Sequence, residues 1–138
     1  MVDFGALNRI GRDVRKGFVP KLDIKLRERE VHLLSLIHKH PSEPFIFYSD
    51  RIGLERSSFS YLSEALELKE LITREDSKKD KRTKTMILTP QGRKLTDEIE
   101  RQFQEYLSDL LCVLSQDELE KLDKSIEDIK KIIRKLGI

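Results

Sequence analysis

Residues 51–95 read RIGLERSSFSYLSEALELKELITREDSKKDKRTKTMILTPQGRKL, and the changes of pattern within them decide the fold. Gly53 supplies a left-handed residue at which one short helix can turn into the next. From about Arg56 to Lys69 the spacing is helical: Phe59, Leu62 and Leu66 face inward, and Ser57, Ser58, Ser60, Tyr61 and Glu64 fall on or near the outer face. The period then shifts. Leu71 to Glu75 reads as a strand, Asp76 to Lys81 as a polar turn, and Arg82 to Leu88 as the return strand, where Thr, Met and Ile favour extended structure. Thr89-Pro90 opens a new helix, a hydroxyl cap followed by proline at the first helical position.

Upstream, Phe4, Leu7, Ile10, Val14 and Phe18 recur at three- and four-residue steps and predict a helix from about Asp3 to Phe18, ended by Gly17 and Pro20. A second helix is expected from about Arg27 to His40, with Val31, Leu33, Leu34, Leu36 and Ile37 apolar; Pro41 and Pro44 stop it. The apolar run Pro44 to Tyr48 reads as a stub of strand, and Ser49 as the N-cap of a short helix through Ile52. Downstream, Leu95, Ile99, Phe103, Leu107, Leu110 and Leu114 form one stripe. Ser115 to Glu118 is a capping box. Leu119, Leu122, Ile126, Ile129, Ile133 and Leu136 then follow a heptad seam, the strongest periodic signal in the chain. The expected class is mainly α with a small β-hairpin (α+β), and a helix-turn-helix followed directly by a hairpin makes a winged helix.

The 138 residues suffice for a sizeable core without staples, and the single cysteine, Cys112, excludes an intramolecular disulfide. No apolar run approaches the length of a membrane span, and the N-terminus lacks a signal-peptide core, so a cytoplasmic protein is expected. The formal net charge is only +2, but it divides unevenly: residues 1–96 carry 20 basic and 14 acidic side chains, residues 97–138 carry 7 and 11. A basic front is compatible with nucleic acid as its partner.

Two stretches are candidate contacts. In the hairpin, Lys78, Lys79, Lys81, Arg82 and Lys84 crowd eight positions. A protruding basic hairpin can enter a minor groove, whose narrowed phosphate walls attract arginine, and Asp80 is close enough in sequence to hold the Arg82 guanidinium in one orientation. A solvated turn explains the charge run equally well from composition alone; the preceding helix-turn-helix favours DNA. The second stretch is the N-terminal end of the helix after Gly53, with Arg56, Ser57, Ser58, Ser60 and Tyr61, the end that reaches base edges in such motifs. Serines also cluster there as caps. Glu55, Glu64, Glu67 and Glu70 outnumber Arg56 and Lys69, so this helix is no strong phosphate clamp. Ser49, on the preceding helix, completes the candidate set.

His32, His38 and His40 are separated by six and two residues, not the four that put two rings on one helix face, so part-buried histidines are a better reading than a metal site. Cys112 lies in the apolar run Leu110 to Leu114 and reads as a small buried hydrophobe. Phosphate-binding glycine loops, Gly-x-Ser-x-Gly elbows and HExxH motifs are absent, so no enzyme and no cofactor are expected.

Residues 51–95 resemble the multiple-antibiotic-resistance regulator (MarR) family, most specifically in Asp80-Lys81-Arg82 and in Leu88-Thr89-Pro90-Gln91-Gly92. The helix order extends the resemblance over nearly the whole chain. It implies a homodimer: residues 27–89 as the winged helix-turn-helix domain, residues 1–26 and 90–138 as a helical dimerisation lobe using Phe4, Leu7 and Ile10 with Leu119, Leu122, Ile126, Ile129, Ile133 and Leu136. It implies a repressor on a pseudo-palindromic operator, with Ser57, Ser58, Ser60 and Tyr61 in the major groove and Arg82, oriented by Asp80, in the minor groove. It also implies a small phenolic or aromatic effector between the lobes. Three positions depart from the family pattern: Glu55 replaces a small capping residue, Tyr61 a basic residue, and Glu70 the glycine before Leu71-Ile72. The peroxide-sensing branch uses a cysteine near the N-terminus, which this chain lacks. Two competing readings are a winged-helix module that binds protein, and a regulator responsive to metal or oxidant through the histidines or Cys112.

Overall fold

The computed structural model describes residues 1–78 and 82–137. Six helices and one hairpin follow in the order α1 (Phe4–Lys16), α2 (Glu28–Lys39), α3 (Phe45–Ile52), α4 (Arg56–Leu68), β1 (Ile72–Asp76), β2 (Lys84–Leu88), α5 (Pro90–Leu111) and α6 (Gln116–Lys135). The class is mainly helical with a small antiparallel wing, as the pattern shift after residue 70 predicts.

Local chemistry accounts for most of the boundaries. The Asp3 carboxylate accepts from the Ala6 amide and starts α1. Glu30 reaches back to the Arg27 amide (2.8 Å) at the start of α2. Gly53 takes φ 76°, and its amide and that of Leu54 both donate to the Ser49 carbonyl, which turns α3 into α4. The Thr89 hydroxyl accepts from the Gly92 amide (2.9 Å) and donates to the Glu70 carbonyl (2.6 Å), capping α5 and tying it to the end of α4. The Ser115 hydroxyl and the Glu118 carboxylate cap α6 reciprocally.

Two expectations in this stretch are corrected. The run Pro44 to Tyr48 is no strand beyond a single bridge between Pro44 and Thr85; Phe45 already begins α3. Ser49 is therefore not an N-cap. It lies inside α3, buried, and its hydroxyl donates to the Ile46 carbonyl at 3.1 Å. Burial accounts for both: in the helix from Phe45, Tyr48 is fully enclosed, its Oη donating to the His40 carbonyl and accepting from the Glu43 amide. Burial also pushes the Tyr48 phenol above its ordinary pKa. A smaller correction concerns Arg82, which lies in the turn before β2 rather than in the strand.

The hairpin pairs Ile72 with Leu88, Arg74 with Met86 and Asp76 with Lys84. Its base is buried and its far end exposed. Thr85 adds a bond from its hydroxyl to the Glu43 carbonyl (2.6 Å), fastening β2 to the loop before α3. The core joins Leu33, Leu34 and Ile37 of α2 with Tyr48, Phe59, Leu66, Leu71, Ile72, Met86 and Leu88. Each large apolar side chain buried there contributes about 1.5–3 kcal/mol.

The chain divides into two compact units, Met1–Phe103 and Gln104–Ile138. In the first, Phe18 packs edge-on against Phe103 (centroids 5.0 Å), and the Gln102 amide makes both hydrogen bonds to the backbone of Lys21 (2.7 and 2.8 Å). In the second, α6 has no buried residue. Its seam leaves Leu122, Ile126, Ile129 and Leu136 between 38% and 53% exposed. Phe4, Leu7 and Ile10 of α1 are likewise exposed. None of the described helices is long and apolar enough to cross a membrane.

Candidate nucleic-acid interface

The turn at Gly53 presents the first turns of α4 to solvent. Arg56, Ser57 and Ser58 are exposed, Ser60 is half-buried and Tyr61 is 75% exposed. Glu55 is the N-cap residue but makes no side-chain cap bond, so the first amides of α4 lack the partner that a small capping hydroxyl would supply. Phe59, Ser63 and Leu66 form the buried side of the helix.

In the wing, Lys78 and Arg82 are exposed. Lys84 lies opposite Asp76 in the register and is ion-paired with it across the two strands. Lys79, Asp80 and Lys81 lie outside the described residues, and the expected orientation of Arg82 by Asp80 lies there with them. Ser49 is set apart from the exposed candidates, since its hydroxyl is buried within α3.

Two residues that sequence reasoning passed over organise this surface. Arg74, at the middle of β1, sends Nη2 to the Ser63 hydroxyl (2.9 Å) and holds Nε 3.2 Å from Glu67 Oε2, both acceptors on α4. Its guanidinium lies over the Phe45 ring at 5.6 Å. Strand alternation carries the signal, because Arg74 shares a face with the core residue Ile72. Glu30, only 2% exposed, receives Lys69 Nζ on both oxygens (3.0 and 2.9 Å), and the same ammonium donates to the Lys25 carbonyl (3.1 Å). The C-terminal end of α4 is thus bound to the start of α2. Glu70, next in the chain, sits at φ 59°, the left-handed conformation in which glycine is unstrained.

Elsewhere, burial and the nearby Arg15 and Lys39 lower the His32 pKa, and His40 packs at a tilt against Phe47 (centroids 5.2 Å), which also carries the Arg51 guanidinium (4.2 Å). Among the described residues no three metal-binding side chains cluster. Cys112 is exposed in the turn after α5, not buried as its apolar neighbours predict, because α5 ends at Leu111. Within the first unit a cleft of about 690 Å³ runs between the segment Lys21 to Ile24 and the start of α5, floored by Leu22, Ile24, Leu71 and Leu95 and edged by Lys94, Asp97, Glu98 and Arg101. Hydrogen bonds from Arg101 and Gln102 hold the Glu98 carboxyl at a pKa of about 2, so this edge stays charged.

Residues 26–84 match the model of the MarR family. The chain is similar to the HTH-type transcriptional regulator MhqR of Bacillus subtilis, 27% identical over 104 residues that cover 75% of this chain and 72% of that one. Among solved structures it is similar to MepR, a transcription regulator of the Staphylococcus aureus multidrug efflux pump MepA (TM-score 0.68, 22% identity, 96% of this chain and 99% of that one). It is similar also to Streptococcus pneumoniae FabT, solved in complex with DNA (TM-score 0.68, 20% identity, 96% and 91%). The matching segment spans α2 to the start of β2, and the structural likeness extends over the whole helical order. The chain thus has the winged-helix fold of these structures and carries, at residues 26–84, a segment that matches the MarR family model.

Proposed function

We propose that this protein is a transcriptional regulator that binds DNA sequence-specifically as a homodimer, on a pseudo-palindromic operator, and acts as a repressor. The observation that carries the reading is the pairing of an exposed, hydroxyl-rich N-terminus of α4 with a basic hairpin directly after it on the same folded unit. Arg56, Ser57, Ser58, Ser60 and Tyr61 read base edges in the major groove. Lys78, Lys79, Lys81 and Arg82, with Asp80 orienting Arg82, engage the flanking phosphates and minor groove. Lys84 supports the hairpin through Asp76. Residues 27–89 are the DNA-binding domain. The open apolar faces of α1 and α6, in residues 1–26 and 90–138, form the dimerisation lobe, because a seam this exposed in one chain is stabilised when a second copy covers it. The cleft beside Lys21 to Ile24 takes a small aromatic effector that relieves repression: its apolar floor suits a ring and its charged edge a polar substituent. MepR, solved bound to ethidium bromide, is a relative of this fold that holds such a molecule.

The test is a salt titration on duplex DNA. Each phosphate neutralised contributes a slope of about −0.9 to the log–log plot of affinity against salt, so several contacts give a steep line. A flat line, or no retention on duplex DNA at low salt, contradicts the reading and favours a protein-binding module.

A further inference from the structure

We infer that Arg74 is a positioning residue that fixes the recognition helix α4 against the wing, so that both reach one duplex in a single geometry; the inference rests on the DNA-binding reading above. The guanidinium lies on β1 yet both its nearest acceptors, the Ser63 hydroxyl and Glu67 Oε2, belong to α4 and stand four residues apart on one helix face. Ser63 is fully buried, and its hydroxyl passes the connection on to the Ser60 carbonyl at 2.9 Å. The chain of contacts therefore runs from the wing strand into the turn of α4 that carries Ser57, Ser58 and Tyr61. The Phe45 ring of α3 also lies against the guanidinium, its centroid 5.6 Å away. Arg74 Nε is buried and its N–H is not aimed at any acceptor, so the ring contact and the Glu67 charge, rather than a directed bond, hold that edge.

A planar guanidinium holds its donors and its charge spread over a rigid fork that spans the Ser63 hydroxyl and the Glu67 carboxylate, whereas a lysine ammonium concentrates both on one atom at the end of a flexible stem. The consequence is a bivalent reader. Two weak modules, the α4 N-terminus and the wing tip, gain affinity together only if their spacing matches the groove-to-groove distance. Arg74 also pairs with Glu67, one of the carboxylates on the helix that must approach phosphates.

The test compares full-length wild type, Arg74→Lys, Ser63→Ala and the double variant on two duplexes: an operator selected with wild-type protein, and the same operator trimmed of the flanks that the wings reach. Arg74→Lys is expected to lose about tenfold in affinity on the full duplex and almost nothing on the trimmed one, the size of a coupling between contacting groups. Ser63→Ala gives the same flank-dependent loss in smaller degree, and the double variant falls short of the product of the two. Equal losses on both duplexes, or losses that multiply, overturn the inference by making Arg74 a purely local support. Wild-type protein that binds neither duplex overturns the DNA-binding reading itself, and this inference with it. Ser63→Ala keeps the test open even where an Arg74 variant fails to fold.

Discussion

A Cβ placed on Gly92 stands 1.9 Å from the carbonyl oxygen of Leu71. That carbonyl is itself fixed, accepting from the Thr89 amide at 3.0 Å, and Leu71 is fully buried. The start of α5 thus rests directly on the backbone that joins α4 to the wing. Gly92→Ala is expected to destabilise the fold by about 3 kcal/mol, the upper end for forced overpacking, because backbone rather than a side chain must yield. Urea unfolding monitored by circular dichroism measures it.

Glu70 at φ 59° gives the opposite expectation. A left-handed non-glycine residue costs about 1–2 kcal/mol, and glycine returns part of that gain through the greater freedom of the unfolded chain. Glu70→Gly should therefore stabilise the protein by about 0.5–1 kcal/mol, seen as a higher thermal midpoint. The left-handed Glu70 thus strains the junction between α4 and β1.

The buried carboxylate of Glu30 has Lys69 as its cationic partner. Lys69→Met removes the cation and leaves the charge enclosed. The expected loss is about 2–4 kcal/mol, somewhat below that for a fully buried pair because Lys69 is partly exposed. Denaturant midpoints of the single variants and of Glu30→Gln/Lys69→Met compare the cases; a double variant more stable than Lys69→Met alone is the expected sign of an orphaned charge.

Glu98 sets a pH expectation. Its folded pKa of about 2 lies below the ordinary 4.5, so the unfolded chain takes up protons first as pH falls. The stability it contributes is fully present above about pH 4.5 and is lost progressively down to about pH 2. Glu98→Gln should flatten the unfolding midpoint against pH in that window and leave it unchanged in slope near neutrality.

These expectations divide by how local their causes are. The caps at Thr89-Pro90 and Ser115–Glu118, and the glycine turn at 53, were legible because the partners lie within four residues. The hairpin was legible because its hydrophobic period changes from that of α4. The start of α3 was not: Phe45-Ile46-Phe47-Tyr48 has strand-forming residues, and only the enclosure of Tyr48 beneath the His40 carbonyl decides for helix. Its inward positions, Phe45, Tyr48, Ser49 and Ile52, do follow helical spacing, but the continuous apolar run conceals it. Cys112 was misplaced for a related reason, since its neighbours are apolar while the helix end turns its thiol outward. Glu30 and Lys69 are 39 residues apart, and no local pattern joins them. For the candidate interface, the exposed face of α4 was readable from periodicity, while the contacts of Arg74 with Ser63 and Glu67 join a strand to a helix across positions that no local pattern links.

The open seam of α6 gives a further expectation. Ile126→Glu with Ile129→Glu should convert a dimer to monomers in sedimentation equilibrium and leave the helical content of the first unit intact, since both side chains are exposed in the single chain. Loss of the dimer should remove most of the operator affinity by removing the second half-site.

The central claim is sequence-specific recognition of duplex DNA by a dimer, and selection from a random duplex pool tests it most directly. The expected result is an enriched palindrome whose half-sites lie about 10–10.5 base pairs apart, centre to centre. A pool that remains unenriched after repeated rounds, with the protein folded and dimeric, contradicts it.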